Sequence, residues 1–527
     1  MTNANLCMQV FQFLLKCQVD TVIICAGARN APFVFQLESS KLNKFYFFEE
    51  RSAAFFALGL MKQQNRPVAI ITTSGTAAAE ILPAAIEGFY QGLPLIIITA
   101  DRPKSYRHSG APQTICQVGL FSNYVEQTLD WDVHEVEFNI KSGLRKPIHL
   151  NICFDEPLLD VAIGSAQKIN FVKTDNIEYP KASRADFDKI KKPLIIVGQL
   201  EQNQKTEVIE FIASLQAPVY LESLSQLKNE KLIGEFVIKA SDSLVKKLFE
   251  EHYFTSVIRI GGVPTLRFWR DLEEQFKNIP VANFTNLPFS GLSRESSNFS
   301  LNFSNLNLEI SKSGYFKNDK LAIIKAKDEN LEDAKLGLLK DFSNSEPAFV
   351  NYLSILTDGA PIYLGNSNPI REWDLFAIKS FKKAQLIYAN RGANGIDGQV
   401  STYLGWSNAQ AISWCLIGDL TALYDLASLG LSSQLAAESK KRLVVMNNKG
   451  GHIFKRIFKN ELFLNSHEVE FEMWAKMWKW DYLKVTTEAE LLKAGLNTSD
   501  KLIIEILPDN NQTTSFWNSW DAVCSKI

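Results

Sequence analysis

Short runs rich in Val, Ile and Leu, separated by longer amphipathic stretches, constrain this chain more than any other feature of its sequence. Thr21–Cys25, Val68–Thr72 and Leu95–Thr99 set the pattern. Strands that are apolar on both faces must be covered on both, which a parallel sheet flanked by helices achieves. The alternation restarts at Leu194–Val197 with Val219–Leu221 and Val257–Ile260. It restarts again through Ile362–Leu364, Gln385–Tyr388, Trp414–Ile417, Leu443–Met446 and Leu502–Ile506. At 527 residues the chain exceeds what one core can hold. The expected fold class is α/β, with three doubly wound parallel-sheet domains at 1–170, 185–320 and 345–527. Polar Ser165–Lys192, which contains Tyr179-Pro180, reads as a linker, and the Ser- and Asn-rich stretch Ser293–Asn318 as the start of the passage into the third domain.

Charge excludes two partner classes. With 22% charged residues and a formal net charge of -2, the chain has neither the basic bias that nucleic acid requires nor that of a membrane-surface protein. The 7 cysteines are odd in number and lack metal-type pairs, and several stand in apolar runs as small hydrophobes. A reducing cytoplasm is expected. The amino terminus has no basic leader, Lys16 interrupts its apolar stretch, and no run reaches the ~20 apolar residues of a membrane helix.

The first and third modules share an order of events. Each opens with a strand running into a glycine loop, Gly27-Ala28-Arg29-Asn30-Ala31-Pro32 against Gly365-Asn366-Ser367-Asn368-Pro369. Each continues to a charged turn before small residues, Glu49-Glu50-Arg51-Ser52 against Asn390-Arg391-Gly392-Ala393. Each then places glycine at a strand-to-helix turn, Ser74-Gly75-Thr76-Ala77 against Gly418-Asp419-Leu420-Thr421-Ala422. The pattern reads as a diverged duplication. Ligands of open α/β sheets bind beyond the carboxyl ends of strands, so two such modules face to face would bring Glu50 and Asp419 to one cleft. Asp419 offers a carboxylate, Asn448 an amide oxygen and the Lys449-Gly450-Gly451 turn the Gly450 carbonyl. That set suits magnesium, or manganese in its place, with a phosphate in its shell. Gly-Asp or Asn-Asn alone would be read as a turn former at a strand end.

The strings Glu50-Arg51-Ser52-Ala53-Ala54, Thr73-Ser74-Gly75-Thr76-Ala77, Thr99-Ala100-Asp101-Arg102-Pro103, Asn390-Arg391-Gly392-Ala393-Asn394-Gly395-Ile396-Asp397-Gly398 and Asn447-Asn448-Lys449-Gly450-Gly451-His452-Ile453-Phe454 carry a resemblance. Together they resemble the 2-succinyl-5-enolpyruvyl-6-hydroxy-3-cyclohexene-1-carboxylate synthase family, within the thiamine diphosphate-dependent decarboxylases and carboligases. The resemblance implies a pyrimidine-binding domain, a central domain and a pyrophosphate-binding domain. It implies thiamine diphosphate and a divalent cation as cofactors, 2-oxoglutarate and isochorismate as substrates, and a homodimer or higher homo-oligomer. By motif matching, Glu50 would serve the cofactor's pyrimidine, Ile396 would support its bent form, and Ile453 and Phe454 would wall it. Gly418, Asp419, Thr421, Asn448 and Gly450 would hold the pyrophosphate and metal. Arg29, Arg102, Gln113, Ser367, Arg371 and Arg391 would handle substrate.

The residue types agree with those roles. Both substrates are dicarboxylates, and a guanidinium fork grips a carboxylate bidentately while staying charged. A carboxyl in an apolar setting, as proposed for Glu50, has a raised proton affinity and can share a proton with the aminopyrimidine N1′. The alternative for Glu50 is helix capping or an ion pair with Arg51. Adjacent strand residues point to opposite faces, so Glu49 should turn away from the site. Ala28 and Pro112 depart from the serine and asparagine common in the family, and Leu420 from the usual Gly-Asp-Gly. A simple 2-oxo acid decarboxylase is the rival enzyme; it would leave several arginines unpaired, and the His-His pair of that type is absent here. A nucleotide-binding subunit without catalysis is the rival from another class.

Overall fold

The computed structural model describes all residues except 138, 142–144, 163–167, 173–178, 240–241, 304–305, 307–315, 317, 379–382, 437, 459 and 527. Parts of the linker 165–192 and of the stretch 293–318 therefore lie outside the described residues. The chain forms two compact units, one of Met1–Asn176 with Asn390–Ala411 and Leu420–Lys440, the other of Ile177–Ala389, Ile412–Asp419 and Lys441–Ile527.

The first unit contains β1 (Thr21–Ile24), β2 (Asn43–Tyr46), β3 (Val68–Thr72), β4 (Leu95–Asp101), β5 (Thr128–Trp131) and β7 (Ile148–Cys153), with β6 (Asn139–Lys141) and β8 (Asn170–Val172) pairing apart. The six-stranded sheet runs β2-β1-β3-β4-β7-β5. Its described pairings are parallel, so the carboxyl ends of β1 to β4 share one edge. Helix Glu50–Gln64 crosses helix Gln399–Trp406 at Gly59 and Gly405. A Cβ at Gly59 would meet Thr402 O, and one at Gly405 would meet Phe56 O, so only glycine permits this approach.

The second unit carries two sheets. One is built from β9 (Pro193–Val197), β10 (Val219–Leu221), β11 (Val237–Ile238), β12 (Ser256–Ile260), β13 (Val281–Phe284) and β14 (Ser297–Phe299), in the order β11-β10-β9-β12-β13-β14. The other comprises β15 (Ile362–Leu364), β16 (Ile387–Tyr388), β17 (Ile412–Gly418), β18 (Lys440–Met446), β19 (Asp481–Val485) and β20 (Lys501–Ile506), ordered β16-β15-β17-β18-β20-β19. Burial on both faces is explicit in β9. Ile195 and Val197 enter one core with Phe211 and Phe284, while Leu194 and Ile196 enter another with Phe249 and Phe268. Each such side chain contributes about 1.5–3 kcal/mol by leaving water.

Two expectations change. Ser297–Phe299, placed by sequence in a passage between domains, is the edge strand of the second sheet, paired through Ala282↔Ser297 and Phe284↔Phe299. Phe187, within the expected linker, packs into that sheet's core. Among the described residues no helix is long and apolar enough to cross a membrane.

Candidate active site

At the carboxyl edge of the first sheet, the chain leaving β2 enters helix Glu50–Gln64 at once, so Glu49 and Glu50 do not alternate across a strand as the sequence suggested. Glu49 is the N-cap: its carboxylate accepts from Arg51 N and Ser52 N, both at 3.1 Å, and from Ser52 Oγ. Capping by Glu49 leaves the Glu50 carboxyl out of that role. Burial holds Glu50 above the usual carboxylate range, against the pull of its own backbone N–H, with Glu49 and Glu80 adding to the rise. Arg51 turns from Glu50 to Tyr424 O at 2.8 Å, to the Tyr424 ring and to Asp425 at 3.8 Å.

The other residues predicted in this unit occupy neighbouring loops. Gly75, at φ 86, closes β3, and a Cβ there would touch Gln113, itself at φ 56. Arg102 follows β4 and gives its Nε to Pro112 O at 3.2 Å, joining the two loops. A buried polar chain sets their height. Gly75 N donates to Gln117 Oε1 at 2.9 Å, Gln117 Nε2 donates to Asn151 Oδ1 at 2.8 Å, and Asn151 Nδ2 donates to Asp101 and Asp130. Arg107 clamps Asp130 through both terminal nitrogens, at 2.9 and 2.6 Å. Arg29, after β1, is half-buried and paired with exposed Glu156 at 3.2 Å.

Arg391, Ile396 and Thr421 also belong to the first unit. The loop of Arg391 and Ile396 is held at two points by carboxylates that sequence reasoning missed. Gly392 N and Ala393 N donate to Glu87 at 2.8 and 2.7 Å, and Gly398 N and Val400 N donate to Asp425 at 2.8 and 2.9 Å. Burial raises the Asp425 carboxyl to about 7 despite those two donors and Arg51. No local pattern marks either carboxylate, because the contacts span up to 306 residues and are made to backbone.

In the second unit, β17 ends at Gly418 and Asp419 opens the next helix, while β18 ends just before Asn447-Asn448. Asp419 is 3% exposed and Asn448 6%. Gly450 N donates to Asp419 Oδ2 at 2.9 Å, and His467 Nε2, also unforeseen, stands 3.3 Å from the same oxygen. Gly450 has φ 146, and the place of a Cβ is taken by Leu464 O. Asn448 Nδ2 donates to Glu346 Oε2 at 2.8 Å. Its Oδ1 is buried and accepts no hydrogen bond among the described residues. A carbonyl oxygen left so costs about 1–3 kcal/mol, a deficit that a hard cation would remove. This donor set of carboxylate and amide oxygen fits magnesium or manganese. Nearby, Ser367 holds φ 72 and its carbonyl accepts from Arg371 Nη1 at 2.7 Å. Ile453 is half-buried and Phe454 exposed.

Glu372, one residue beyond Arg371, is 3% exposed, and among the described residues neither carboxylate oxygen has a hydrogen-bond partner. Burial, with the charge of Glu346, holds its pKa well above the usual value. The folded state therefore binds this proton more tightly than the unfolded chain. Its stabilising effect is full below the unfolded pKa of about 4.3 and is lost as pH rises through the folded value. Glu372→Met should raise unfolding free energy by about 1–4 kcal/mol at pH 8 and by much less at pH 4. Urea midpoints at the two pH values check this, and equal gains at both would acquit the charge.

The description "Thiamine pyrophosphate enzyme, N-terminal TPP binding domain" matches residues 5–120. A 2-succinyl-5-enolpyruvyl-6-hydroxy-3-cyclohexene-1-carboxylate synthase of Bdellovibrio bacteriovorus is 44% identical, over 99% of this chain and 99% of its own. The chain belongs to this synthase family. Synthases of the same name from Akkermansia muciniphila, 34% identical over 93% of each chain, and Lysinibacillus sphaericus, 31% identical over 97% and 96%, extend the similarity. Thiamine diphosphate is thus the cofactor of a chain whose first unit presents Glu50. The synthase similarity spans all three sheets, including the central one, where the sequence motifs were sparse.

Proposed function

We propose that this synthase-family enzyme decarboxylates 2-oxoglutarate and adds the succinyl unit to isochorismate. The products are 2-succinyl-5-enolpyruvyl-6-hydroxy-3-cyclohexene-1-carboxylate and CO₂, in menaquinone biosynthesis in the cytoplasm. The observation that carries the reading is the buried oxygen pair of Asp419 and Asn448, with Asn448 Oδ1 lacking a donor among the described residues. Bound thiamine diphosphate supplies the nucleophilic carbon and the electron sink that loss of CO₂ requires. Asp419, Asn448 and the Gly450 carbonyl would hold a magnesium or manganese ion, which would supply positive charge for the pyrophosphate. Glu50 holds a proton at the aminopyrimidine N1′. Ile396, Ile453 and Phe454 exclude water. Assay of 2-oxoglutarate with isochorismate against a pyruvate control tests the reaction, and equal ligation of pyruvate would sink the substrate assignment.

The arginines divide the substrates. Arg29, Arg102 and Gln113 bind chiefly isochorismate; Ser367, Arg371 and Arg391 serve a region both substrates use in turn. Among the described residues the Arg102 guanidinium makes one hydrogen bond, from Nε, and lies 5.6 Å from the Tyr106 ring centroid, so its terminal nitrogens can take a carboxylate without breaking a hydrogen bond. Arg102→Ala should raise the isochorismate KM or slow addition, at a cost of about 2 kcal/mol or more, while 2-oxoglutarate still loses CO₂. Single-turnover CO₂ release compared with product formation measures the split, and equal loss of both steps would reject it.

The active unit is a homodimer or higher homo-oligomer with each site shared between chains, a reading that rests on the family alone. Mixing Glu50→Gln protein with Asp419→Ala protein should then regenerate activity. No recovery despite demonstrated subunit exchange would place each site within one chain.

A further inference from the structure

We propose that Glu346 is a positioning residue for the cation: it fixes which end of the Asn448 amide is offered as ligand. The proposal rests on Asp419 and Asn448 being metal ligands. An asparagine amide has a donor end and an acceptor end of nearly equal size, and rotation by half a turn exchanges them. Only the oxygen end can bind a hard cation. Something must therefore hold the nitrogen end elsewhere, and in this structure that partner is Glu346, whose Oε2 accepts from Asn448 Nδ2 at 2.8 Å. In that hydrogen bond the carboxylate oxygen accepts and the amide nitrogen donates. The nitrogen is thereby committed and Oδ1 is left over, buried and without a donor among the described residues.

Glu346 is itself well anchored. It is the first residue of helix Glu346–Leu356, after the Ser345 N-cap, and its own N–H donates to Thr513 Oγ1 at 3.0 Å. The Asn448 backbone is tied as well, its carbonyl accepting from Asn510 Nδ2 at 3.2 Å. Side chain and main chain of Asn448 are thus both held from outside the turn that carries it. Ser345-Glu346-Pro347 reads in sequence as an ordinary helix start, and nothing local links it to a residue 102 positions downstream.

The test is the Mg²⁺ concentration that half-saturates thiamine diphosphate binding, followed by tryptophan fluorescence and with no turnover needed. Glu346→Gln keeps the shape but can offer an N–H of its own, so the Asn448 amide is free to turn. The Mg²⁺ midpoint should rise by about 10 to 100-fold, with the metal-free unfolding temperature little changed. Glu346→Asp, one methylene too short to reach Nδ2, should act in the same direction and serves if the glutamine variant does not fold. Polarity can then be inverted. Asn448→Asp alone sets two carboxylates against each other, whereas Asn448→Asp with Glu346→Gln restores a donor–acceptor pair and still presents an oxygen. The double variant should bind Mg²⁺ at least tenfold better than Asn448→Asp, a rescue that a merely structural Glu346 would not give.

A Glu346→Gln midpoint within twofold of the parent, or no rescue in the double variant, overturns the proposal. Asp419→Ala in the same titration separates the two levels. If it keeps the parental midpoint, the metal reading has failed; if it loses it while Glu346→Gln does not, only the role of Glu346 has.

Discussion

Glu50→Gln should slow exchange of the cofactor's C2 proton by about 10²-fold or more while the fold stays intact. A carboxamide is as large as a carboxyl and accepts similar hydrogen bonds, but it cannot pass a proton to N1′. The setting of Glu50 suits the proposed transfer: burial and the nearby Glu49 and Glu80 carboxylates raise its proton affinity. Stability should be spared because Glu49, not Glu50, satisfies the first N–H groups of helix Glu50–Gln64. Glu49→Ala is the converse control. It should cost about 0.5–2 kcal/mol of stability through the lost cap, with the exchange step keeping its Glu50 base. Hydrogen–deuterium exchange at C2, followed by NMR, separates the two variants, and an unchanged rate in Glu50→Gln would remove it from proton transfer.

The contrast between those neighbours shows where the sequence was legible. Apolar runs such as Val68–Thr72 and Leu95–Thr99 became strands because two-sided burial leaves an unmistakable composition. The shared order of motifs reappears as a shared topology. Numbered within each large sheet, the first and third both run 2-1-3-4-6-5, as a duplication would leave them, whereas the central sheet runs 3-2-1-4-5-6. In each matching sheet the glycine loop follows the first strand, the charged turn the second, and the glycine turn the third. Ser297–Phe299 was missed because an edge strand three residues long needs little apolar surface. Glu49 was misplaced because strand alternation was carried past Tyr46, where the strand ends. Glu87, Asp425, Glu346 and His467 were invisible for another reason. Each acts on a segment distant in the chain, through a backbone N–H for Glu87 and Asp425 and through another side chain for Glu346 and His467, and such contacts leave no periodicity and no spacing.

Asp419→Ala should weaken Mg²⁺-dependent cofactor binding by more than the 10- to 100-fold typical of removing a ligand's supporting partner. In the proposed site it deletes the sole anionic side chain assigned to the ion, through which the pyrophosphate would be held. Loss of a ligand acts by mass action, so excess Mg²⁺ should recover part of the binding. The alanine variant also strips the acceptor from Gly450 N and the neighbour from His467, which could loosen the turn for reasons unrelated to metal. Asp419→Asn resolves this. Its amide oxygen can still accept from Gly450 N, so the turn at φ 146 stays supported while the negative charge is gone. If charge on the ion is what matters, the asparagine variant should bind cofactor nearly as poorly as the alanine variant yet unfold at the parental temperature without metal. If Asp419→Asn binds like the parent in limiting Mg²⁺, or if chelator affects parent and Asp419→Ala alike, Asp419 supports the turn and the cation lies elsewhere.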